Sequence, residues 1–243
     1  MSNKSCLIAH FDRLITLTDD EKALLRLLEE DAKDYPADTI LIPQGGKITS
    51  MFSLQSGWAC SSQLQEDGSR QVIDVFVPGQ IIGLREIGRL QAETTIETLT
   101  DCVACPFPRH QLSEIFAESH RLAILFFLVL AQNHALLTQR LSNIGNKSAT
   151  ARLAHFILET RSRLKVQDSV FELPLNQTLI GDALGLTSVH VSRVFSELKG
   201  KNLIEKDGSN LTILDQAALA RLAEFSTEYM DIRADLLLPD PPR

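Results

Sequence analysis

The sequence predicts an α+β protein with an N-terminal antiparallel β-roll, a long helix and a C-terminal winged helix-turn-helix. Three observations support this prediction. Turn signals recur at even spacing in the first half, helical periodicity begins after Arg109, and a helix–glycine–helix pattern near residue 180 precedes a hairpin signal. With 243 residues, 44% of them hydrophobic, the chain is long enough for two domains and can bury a core without disulfides or metals.

The charge of the chain is unevenly distributed. Lys and Arg number 24 against 31 Asp and Glu, which gives a formal net charge of −7 and excludes a uniformly basic nucleic-acid coat. Residues 147–214 hold nine bases and seven acids, so this part is +2 and the remainder is −9. The asymmetry places any polyanionic partner on the C-terminal half.

No targeting or membrane segment is predicted. The N-terminus, residues 1–10, lacks the apolar core of a signal peptide. The longest uncharged stretch, residues 122–139, contains only ten continuous apolar residues, whereas a membrane span needs about 20. We therefore expect a cytoplasmic protein whose four cysteines are reduced thiols.

The first helix is predicted over residues 18–30. Its leucines form one apolar face, and Thr18 with Glu21 has the pattern of a capping box. In that motif each side chain accepts a hydrogen bond from the other residue's backbone N–H.

The strands of the β-roll are predicted from their turns. Glycines at positions 45, 57, 68 and 79 are separated by 12, 11 and 11 residues. Between them lie β-prone runs such as residues 39–42 and 71–76. Short strands at this spacing predict a sandwich or barrel, here an antiparallel β-roll.

A long helix is predicted over residues 119–144. It is apolar on nearly every side for ten residues, so it needs cover on two sides. The β-roll can cover one side and the same helix of a second subunit the other, in a two-fold dimer. Leu125, Val129 and Leu136 recur at roughly coiled-coil spacing and are predicted as the dimer interface. The alternative is a helix buried inside a monomer.

Four segments follow from these patterns. A β-roll domain with its N-terminal helix is predicted over 1–118, a dimerisation helix over 119–145, a winged helix-turn-helix over 146–225 and a C-terminal extension over 226–243. The hinge between the two domains is predicted at Gly145 and Asn146. The proline-rich tail is expected to be disordered.

The most informative stretch is residues 176–200. Asn176 is a good N-cap for a first helix, and Gly185 can adopt the positive φ of a tight turn. Gly181 is small where the next helix comes close, and Thr187 or Ser188 caps that second helix. An Asp-Gly hairpin signal follows, so the pattern predicts a winged helix-turn-helix.

The second helix is predicted to read DNA. Its N-terminal residues off the apolar face would meet base edges in the major groove. Arg193 suits the O6/N7 edge of guanine, and Ser192 can donate or accept a hydrogen bond. Val189 has no hydrogen-bonding group, so it can only contact a thymine methyl or sterically exclude a base. The predicted DNA-binding side chains are Ser188, Val189, Ser192 and Arg193 for the bases, and Thr187, His190 and Gln177, which could bond phosphates.

At this point the chain resembles the CRP/FNR family of bacterial transcription regulators, over about residues 10–225. The resemblance implies a jelly roll like those that bind cyclic nucleotides, a dimer helix and a winged helix-turn-helix. Residues 35–45 are similar to the family's entry strand and residues 78–84 to the lead-in of its ligand loop. In the family's reading pattern an acid often stands where this chain has Val189, so this position differs.

The resemblance also defines candidate effector-pocket residues, namely Gly83, Leu84, Arg85, Glu93 and Thr94. Cyclic-nucleotide binders of the family carry a Gly-Glu pair, then an Arg followed by Ser or Thr. Here Leu84 replaces the ribose acceptor, and Glu93 places a carboxylate where a cation would meet phosphate. We therefore expect no binding of cyclic AMP.

The cysteines do not predict a cofactor. Members of the family that hold an iron–sulfur cluster use several N-terminal cysteines and one in the roll, and only Cys6 and Cys105 resemble these. Cys102 and Cys105 form a C-x-x-C pair, but residues an odd number of positions apart on a strand point to opposite faces of the sheet. We therefore interpret both as buried residues of the core, where free cysteines are common. We predict no cofactor and no metal ion.

The sequence thus predicts a homodimeric, sequence-specific DNA-binding regulator that recognises an inverted repeat, with its effector unknown or absent. No motif of an enzyme is present. The predicted partners are double-stranded DNA, a second copy of the chain and RNA polymerase. The alternatives are a cyclic-nucleotide or redox sensor that acts through protein contacts, and a C-x-x-C oxidoreductase, which requires an exposed thiol of low pKa.

Overall fold

The computed structural model describes residues 5–238; the predicted disordered tail, residues 239–243, lies outside them. The chain divides into two compact units. Among the described residues, the first comprises residues 5–63, 75–134 and 231–238, and the second comprises residues 64–74 and 135–230.

This division differs from the predicted segments at three places. The boundary falls inside the long helix, the tip of one hairpin groups with the second unit, and residues 231–238 group with the first. The helix itself ends at Asn146, the second residue of the predicted break. The unit boundaries differ because side-chain contacts between residues far apart in sequence, described below, group these segments.

The first unit begins with two short helices. Helix α1 spans Cys6–Phe11 and α2 spans Asp19–Leu27. The predicted capping box is present, since Glu21 N donates to Thr18 Oγ1 at 3.2 Å and Thr18 N donates to Glu21 Oε2 at 2.8 Å.

Eight antiparallel strands form the β-roll. They are β1 Lys33–Tyr35, β2 Ile40–Ile42, β3 Ser50–Ser56, β4 Ala59–Leu64, β5 Arg70–Phe76, β6 Ile81–Ile82, β7 Thr95–Thr98 and β8 Cys102–Pro108. The two sheets have the strand orders β1-β8-β3-β6 and β2-β7-β4-β5. All four glycines of the predicted turns have φ between 75° and 88°, which only glycine adopts without strain.

Two helices follow the roll, and both contribute side chains to its core. Helix α3 spans Arg109–Glu118 and α4 spans His120–Asn146. Side chains of the first turns of α4, including Leu122, Leu125 and Phe126, pack in one apolar cluster with residues of α1, α2 and the roll. By length and composition alone α4 could cross a membrane; its buried face is used in this cluster instead.

The C-terminal segment joins the same cluster. Ala234 is 1% exposed and Leu238 is 2% exposed, and both pack with the core of the first unit. Apolar burial of this kind stabilises the segment by roughly 25 cal/mol per Å² of surface removed from water. The predicted extension is therefore in part a component of the first unit.

The second unit contains the winged helix-turn-helix. Its elements are α5 Ala149–Leu164, β9 Val170–Glu172, α6 Gln177–Leu184, α7 Ser188–Gly200, β10 Ile204–Asp207, β11 Asn210–Ile213 and α8 Gln216–Ala223. The strands form one sheet in the order β10-β11-β9. Strand β9 was not expected from the sequence, because its three residues are too few to show a period of two.

A buried cluster of ions lies inside the second unit. Arg140 of α4 donates to Asp74 at 2.8 Å and to Glu159 at 2.9 Å, and Arg163 lies 3.2 Å from Asp74. Tyr229 donates to the second oxygen of Glu159 at 3.0 Å. Because a buried charge must be paired, this cluster accounts for the grouping of Asp74 and its hairpin tip with the second unit.

Candidate nucleic-acid interface

The turn between α6 and α7 has the backbone that the sequence predicts. The Asn176 side chain accepts from Leu179 N at 2.8 Å and caps α6, and Gly185 ends that helix with φ 65°. A Cβ at Gly181 would lie 2.5 Å from the carbonyl oxygen of Leu186. Gly181 is therefore required by the turn's own backbone.

Helix α7 buries one face and presents another. Thr187 caps it by accepting from His190 N at 3.2 Å. Val191, Val194 and Leu198 are buried, as the apolar pattern predicts. Phe195, expected on the same face, is only half-buried, because it lies towards the wing rather than towards α6.

The predicted DNA-binding side chains lie outside that buried face. Val189 is 60% exposed. Thr187, His190, Arg193 and Gln177 are also exposed, whereas Ser188 and Ser192 are half-buried. Exposure is required of any group that meets a base or a phosphate, so the structure leaves all seven candidates in place as proposals.

The charge of this surface is not neutralised within the chain. In the part of the chain that the structure describes, the guanidinium of Arg193 has no hydrogen bond or ion pair. Lys199, two turns further along α7, has none either. Cations without a partner in the chain are available to an external anion.

The wing is a tight hairpin beside α7. Strands β10 and β11 pair in register from Ile204 opposite Ile213 to Asp207 opposite Asn210. Gly208 turns the chain with φ 56°. A hairpin beside the second helix completes the winged helix-turn-helix that the Asp-Gly signal predicted.

The β-roll contains a small cavity at the predicted effector pocket. It measures about 10 Å³, which is the room for about one water molecule. Gly83, Leu84, Arg85 and Thr94 line it, as predicted, but Glu93 does not. Instead Glu93 is exposed and pairs with Arg89. A second carboxylate, unnoticed in the sequence, lines the cavity, that of Glu86.

Two features of this cavity do not match what a cyclic nucleotide requires. Glu86 is only 7% exposed, and its Oε2 accepts no hydrogen bond within residues 5–238. This oxygen lies 3.8 Å from Arg89 Nε in an ion pair, so the carboxylate already occupies a nearby cation that a phosphate diester would need. Arg85, the nearest candidate cation, donates instead to Ser61 Oγ at 2.8 Å. The residues do not fit the ligand.

The two cysteines of the C-x-x-C pair are buried thiols with raised pKa values. All four cysteines are free thiols, and burial raises the pKa of Cys102 and raises that of Cys105 to about 11, the latter with help from the charge of Glu29. Cys102 donates to Trp58 O, whereas Cys105 donates to Glu29 O. Within residues 5–238 no group of three His, Cys, Asp or Glu side chains is placed to hold a metal ion.

The predicted dimer interface on α4 requires correction. Leu125, Val129 and Leu136 are 0%, 8% and 3% exposed, so the chain itself already buries them. The exposed apolar side chains of α4 are Phe127 at 64% and Leu141 at 73%. The prediction identified coiled-coil spacing on the wrong face, because the helix is apolar nearly all round and the sequence does not show which side the roll covers.

The fold and the exposed face of α7 define a DNA-binding protein in which a β-roll precedes a winged helix-turn-helix. Residues 32–119 match the cyclic nucleotide-binding domain family, and residues 151–222 match the Crp-like helix-turn-helix domain family. Together the matches cover more than half of the chain. The chain belongs to the CRP/FNR family of transcription regulators, and not to a family of enzymes.

Individual relatives agree with this assignment. The chain is 26% identical over 186 residues to the transcriptional activator protein FnrA of Stutzerimonas stutzeri, covering 75% of this chain and 76% of the relative. It is 24% identical over 228 residues to the transcriptional activator protein Anr of Pseudomonas protegens, covering 93% of each. The structure of FixK2 from Bradyrhizobium japonicum superposes with a TM-score of 0.73 at 24% identity, covering 79% of this chain and 96% of FixK2. The predicted family and fold class are confirmed.

Proposed function

We propose that the protein is a homodimeric, sequence-specific DNA-binding regulator that recognises an inverted repeat and has no cyclic-nucleotide effector. The observation that carries this proposal is the exposed N-terminal part of α7, where Arg193 stands without a partner among residues 5–238. A recognition helix meets base edges with these residues.

The bases are read by four neighbouring side chains, Ser188, Val189, Ser192 and Arg193. Arg193 donates two parallel hydrogen bonds to O6 and N7 of a guanine. Ser192 donates or accepts beside it, and Val189, which is 60% exposed, contacts a thymine methyl. Thr187, His190 and Gln177 serve as phosphate contacts that set the position of the helix.

The dimer forms through the exposed stripe of α4, which we define as Phe127, Ala131, His134, Thr138 and Leu141. All five side chains are exposed, and they are spaced 4, 3, 4 and 3 residues apart. This alternation is the a/d pattern that brings two helices together along one seam. A two-fold pair presents two recognition helices, so the half-sites lie about 34–36 Å apart.

The roll does not respond to a cyclic nucleotide in this proposal. Its cavity of about 10 Å³ holds about one water molecule, and the Glu86 carboxylate engages Arg89, a cation that a phosphate would need. Regulation then depends on the amount of protein or on a signal of another kind. We place the protein in the cytoplasm and include RNA polymerase among its partners, because two relatives are named transcriptional activators.

The test is selection of binding sites from random duplex DNA, together with the native mass of the protein. We expect enrichment of one inverted repeat with a guanine in each half-site, and a mass of two chains. Recovery of unrelated sequences, or of a single half-site bound by a monomer, would contradict the proposal.

A further inference from the structure

The segment that follows α8, residues 225–238, is held at both of its ends; we call it the C-terminal tether. Residues 225–230 belong to the second unit, and residues 231–238 belong to the first. The tether is therefore a covalent link between the units, in addition to α4 and the hairpin tip of residues 64–74. Its regular structure consists of two single turns, Glu228–Met230 and Ala234–Leu236, so its position depends on side-chain anchors.

The anchor in the second unit is Tyr229. Its hydroxyl donates to Glu159 Oε2 at 3.0 Å, and the buried Glu159 is also paired with Arg140 of α4. The ring of Tyr229 stacks on that of His155 with the centroids 5.8 Å apart, and Phe225 meets the same His155 edge-on at 5.0 Å. A hydrogen bond to a buried carboxylate is strong, and the aromatic contacts add to it, so this end of the tether is fixed.

The anchor in the first unit is apolar. Ala234 and Leu238 are both buried in the cluster that contains side chains of α1, α2, α4 and the roll, and Ile232 packs against it. Leu238 N donates to Ala234 O at 2.8 Å, which places both side chains on one turn that faces the core. Leu236, between them, is 74% exposed. Only one face of this end is therefore held.

The chain between the two anchors is short. Residues 230–233 alone separate Tyr229 from Ala234, and five residue steps span at most about 18 Å when fully extended. Any turn of the second unit that carried its anchor beyond this reach would pull one anchor out of its site. Such a release would leave the Glu159 oxygen without its donor or expose apolar surface to water, and both are unfavourable.

We propose that the C-terminal tether sets which half-site spacing the dimer accepts, by limiting how far the second unit turns relative to the first. The proposal rests on the proposed function and extends it. A two-fold pair reads an inverted repeat only when both recognition helices meet their grooves at once. Binding of the second helix is then intramolecular, and its effective concentration depends on how tightly it is linked. A restrained pair favours one spacing, whereas a loosened pair binds that spacing more weakly and discriminates less against others.

Binding titrations on inverted repeats that differ only in spacer length test this proposal. The selected repeat is compared with repeats whose spacer is shorter or longer by about one or two base pairs. Full-length Ala234→Asp and Leu238→Asp each place a charge in the apolar anchor and should release the tether. We expect each to bind the selected repeat at least about tenfold more weakly than the wild type and to lose most of the preference for its spacing.

A matched control lies on the same turn. Leu236→Asp introduces the same charge at an exposed position and should behave as the wild type on every spacer. Tyr229→Phe removes only the hydrogen bond to Glu159, so it should reduce the spacing preference by a smaller factor than the two charged variants. All four variants should bind an isolated half-site duplex as the wild type does, because the tether lies outside α7.

Three outcomes would overturn the proposal. The first is an unchanged spacing preference in both Ala234→Asp and Leu238→Asp. The second is tighter binding of the selected repeat by these variants, because the tether would then inhibit DNA binding. The third is equal weakening on every duplex, the half-site included, because the tether would then act on the fold alone. A wild type that prefers no inverted repeat would instead contradict the proposed function.

Discussion

The β-roll and the winged helix-turn-helix use their cations in opposite ways. Around the cavity of the roll, Arg85 donates to Ser61 at 2.8 Å and Arg89 pairs with Glu93. On the exposed side of α7, Arg193 has no partner within residues 5–238. In the roll, the cations that a phosphate ligand would need are engaged by side chains of the chain, whereas Arg193 of the recognition helix is not.

The interior of the second unit shows why this difference is informative. Arg140 is paired with Asp74 and with Glu159, and these carboxylates raise its pKa further, against the effect of burial. A buried cation must be paired because desolvation is costly, so its pairing satisfies a requirement of folding and gives no sign of an external ligand. An exposed cation carries no such requirement and is free for a partner.

The largest expected effect concerns the stripe on α4. Leu141→Asp places a charge on the seam, so the protein should become monomeric. Loss of the second recognition helix should weaken binding to the inverted repeat by at least about 100-fold, because the two half-sites are no longer bound together. Sedimentation and a binding titration measure both effects.

A matched control exists on the roll for the stripe variant. Leu90 is 80% exposed and lies outside α4, so Leu90→Asp should leave both the mass and the affinity unchanged. A dimeric Leu141→Asp would show that the stripe is not the interface.

The next effect concerns Arg193. Arg193→Ala should cost about 1–3 kcal/mol and relax preference at one guanine in each half-site, because the bidentate contact is lost. Gln177→Ala, which removes a proposed phosphate contact, should weaken all sequences alike. Repeating the selection with both variants measures this, and an unchanged consensus for Arg193→Ala would mean that the recognition helix is placed wrongly.

A smaller effect is expected from His155, which lies in the interior of the second unit. It is 2% exposed, and burial lowers its pKa to about 4. Below pH 6.5 the unfolded chain takes up a proton that the folded chain refuses, so the free energy of unfolding should fall as the pH drops from about 6.5 to about 4. We expect about 2 kcal/mol over this window.

His155→Phe tests that expectation. Phenylalanine can keep the ring contacts that His155 makes with Phe225 and Tyr229 but cannot ionise. Denaturant unfolding of the variant should show a flatter dependence on pH than the wild type over this window. An equal slope in both proteins would show that His155 does not govern it.

The smallest expected effect is none at all. Cyclic AMP should produce no heat of binding in calorimetry and no change in DNA affinity, because the cavity of the roll has room for about one water molecule and contains the Glu86 carboxylate. A micromolar dissociation constant would show that the roll opens, and the comparison between the two regions would fail.

Several features of the site are determined by the sequence itself, because they depend on residues close together in the chain. The capping box of Thr18 and Glu21, the N-caps Asn176 and Thr187, and the positive φ of Gly185 are all present as predicted. Each involves a side chain within three residues of its backbone partner, or the φ of one residue. The helix-turn-helix is built from such local features, which is why it could be identified first.

Other features were decided only by the tertiary structure. The side of α4 that carries Phe127 and Leu141 remains exposed because the first unit covers Leu125 and Val129. An apolar run does not indicate which of its faces the core takes. In the roll, the sequence likewise does not show which side chains face the cavity, which is lined by Glu86 and not by Glu93.

The longest-range contacts show the physical reason most clearly. Asp74 meets Arg140 at 2.8 Å across 66 positions of the chain, and Leu238 packs in the core of the first unit. Neither residue carries a local signal for its partner, because ion pairing and apolar burial depend on which surfaces the folded chain brings together. Local hydrogen bonds and backbone angles are therefore encoded in short stretches of sequence, whereas cavities, ion clusters and exposed faces arise only when distant segments pack.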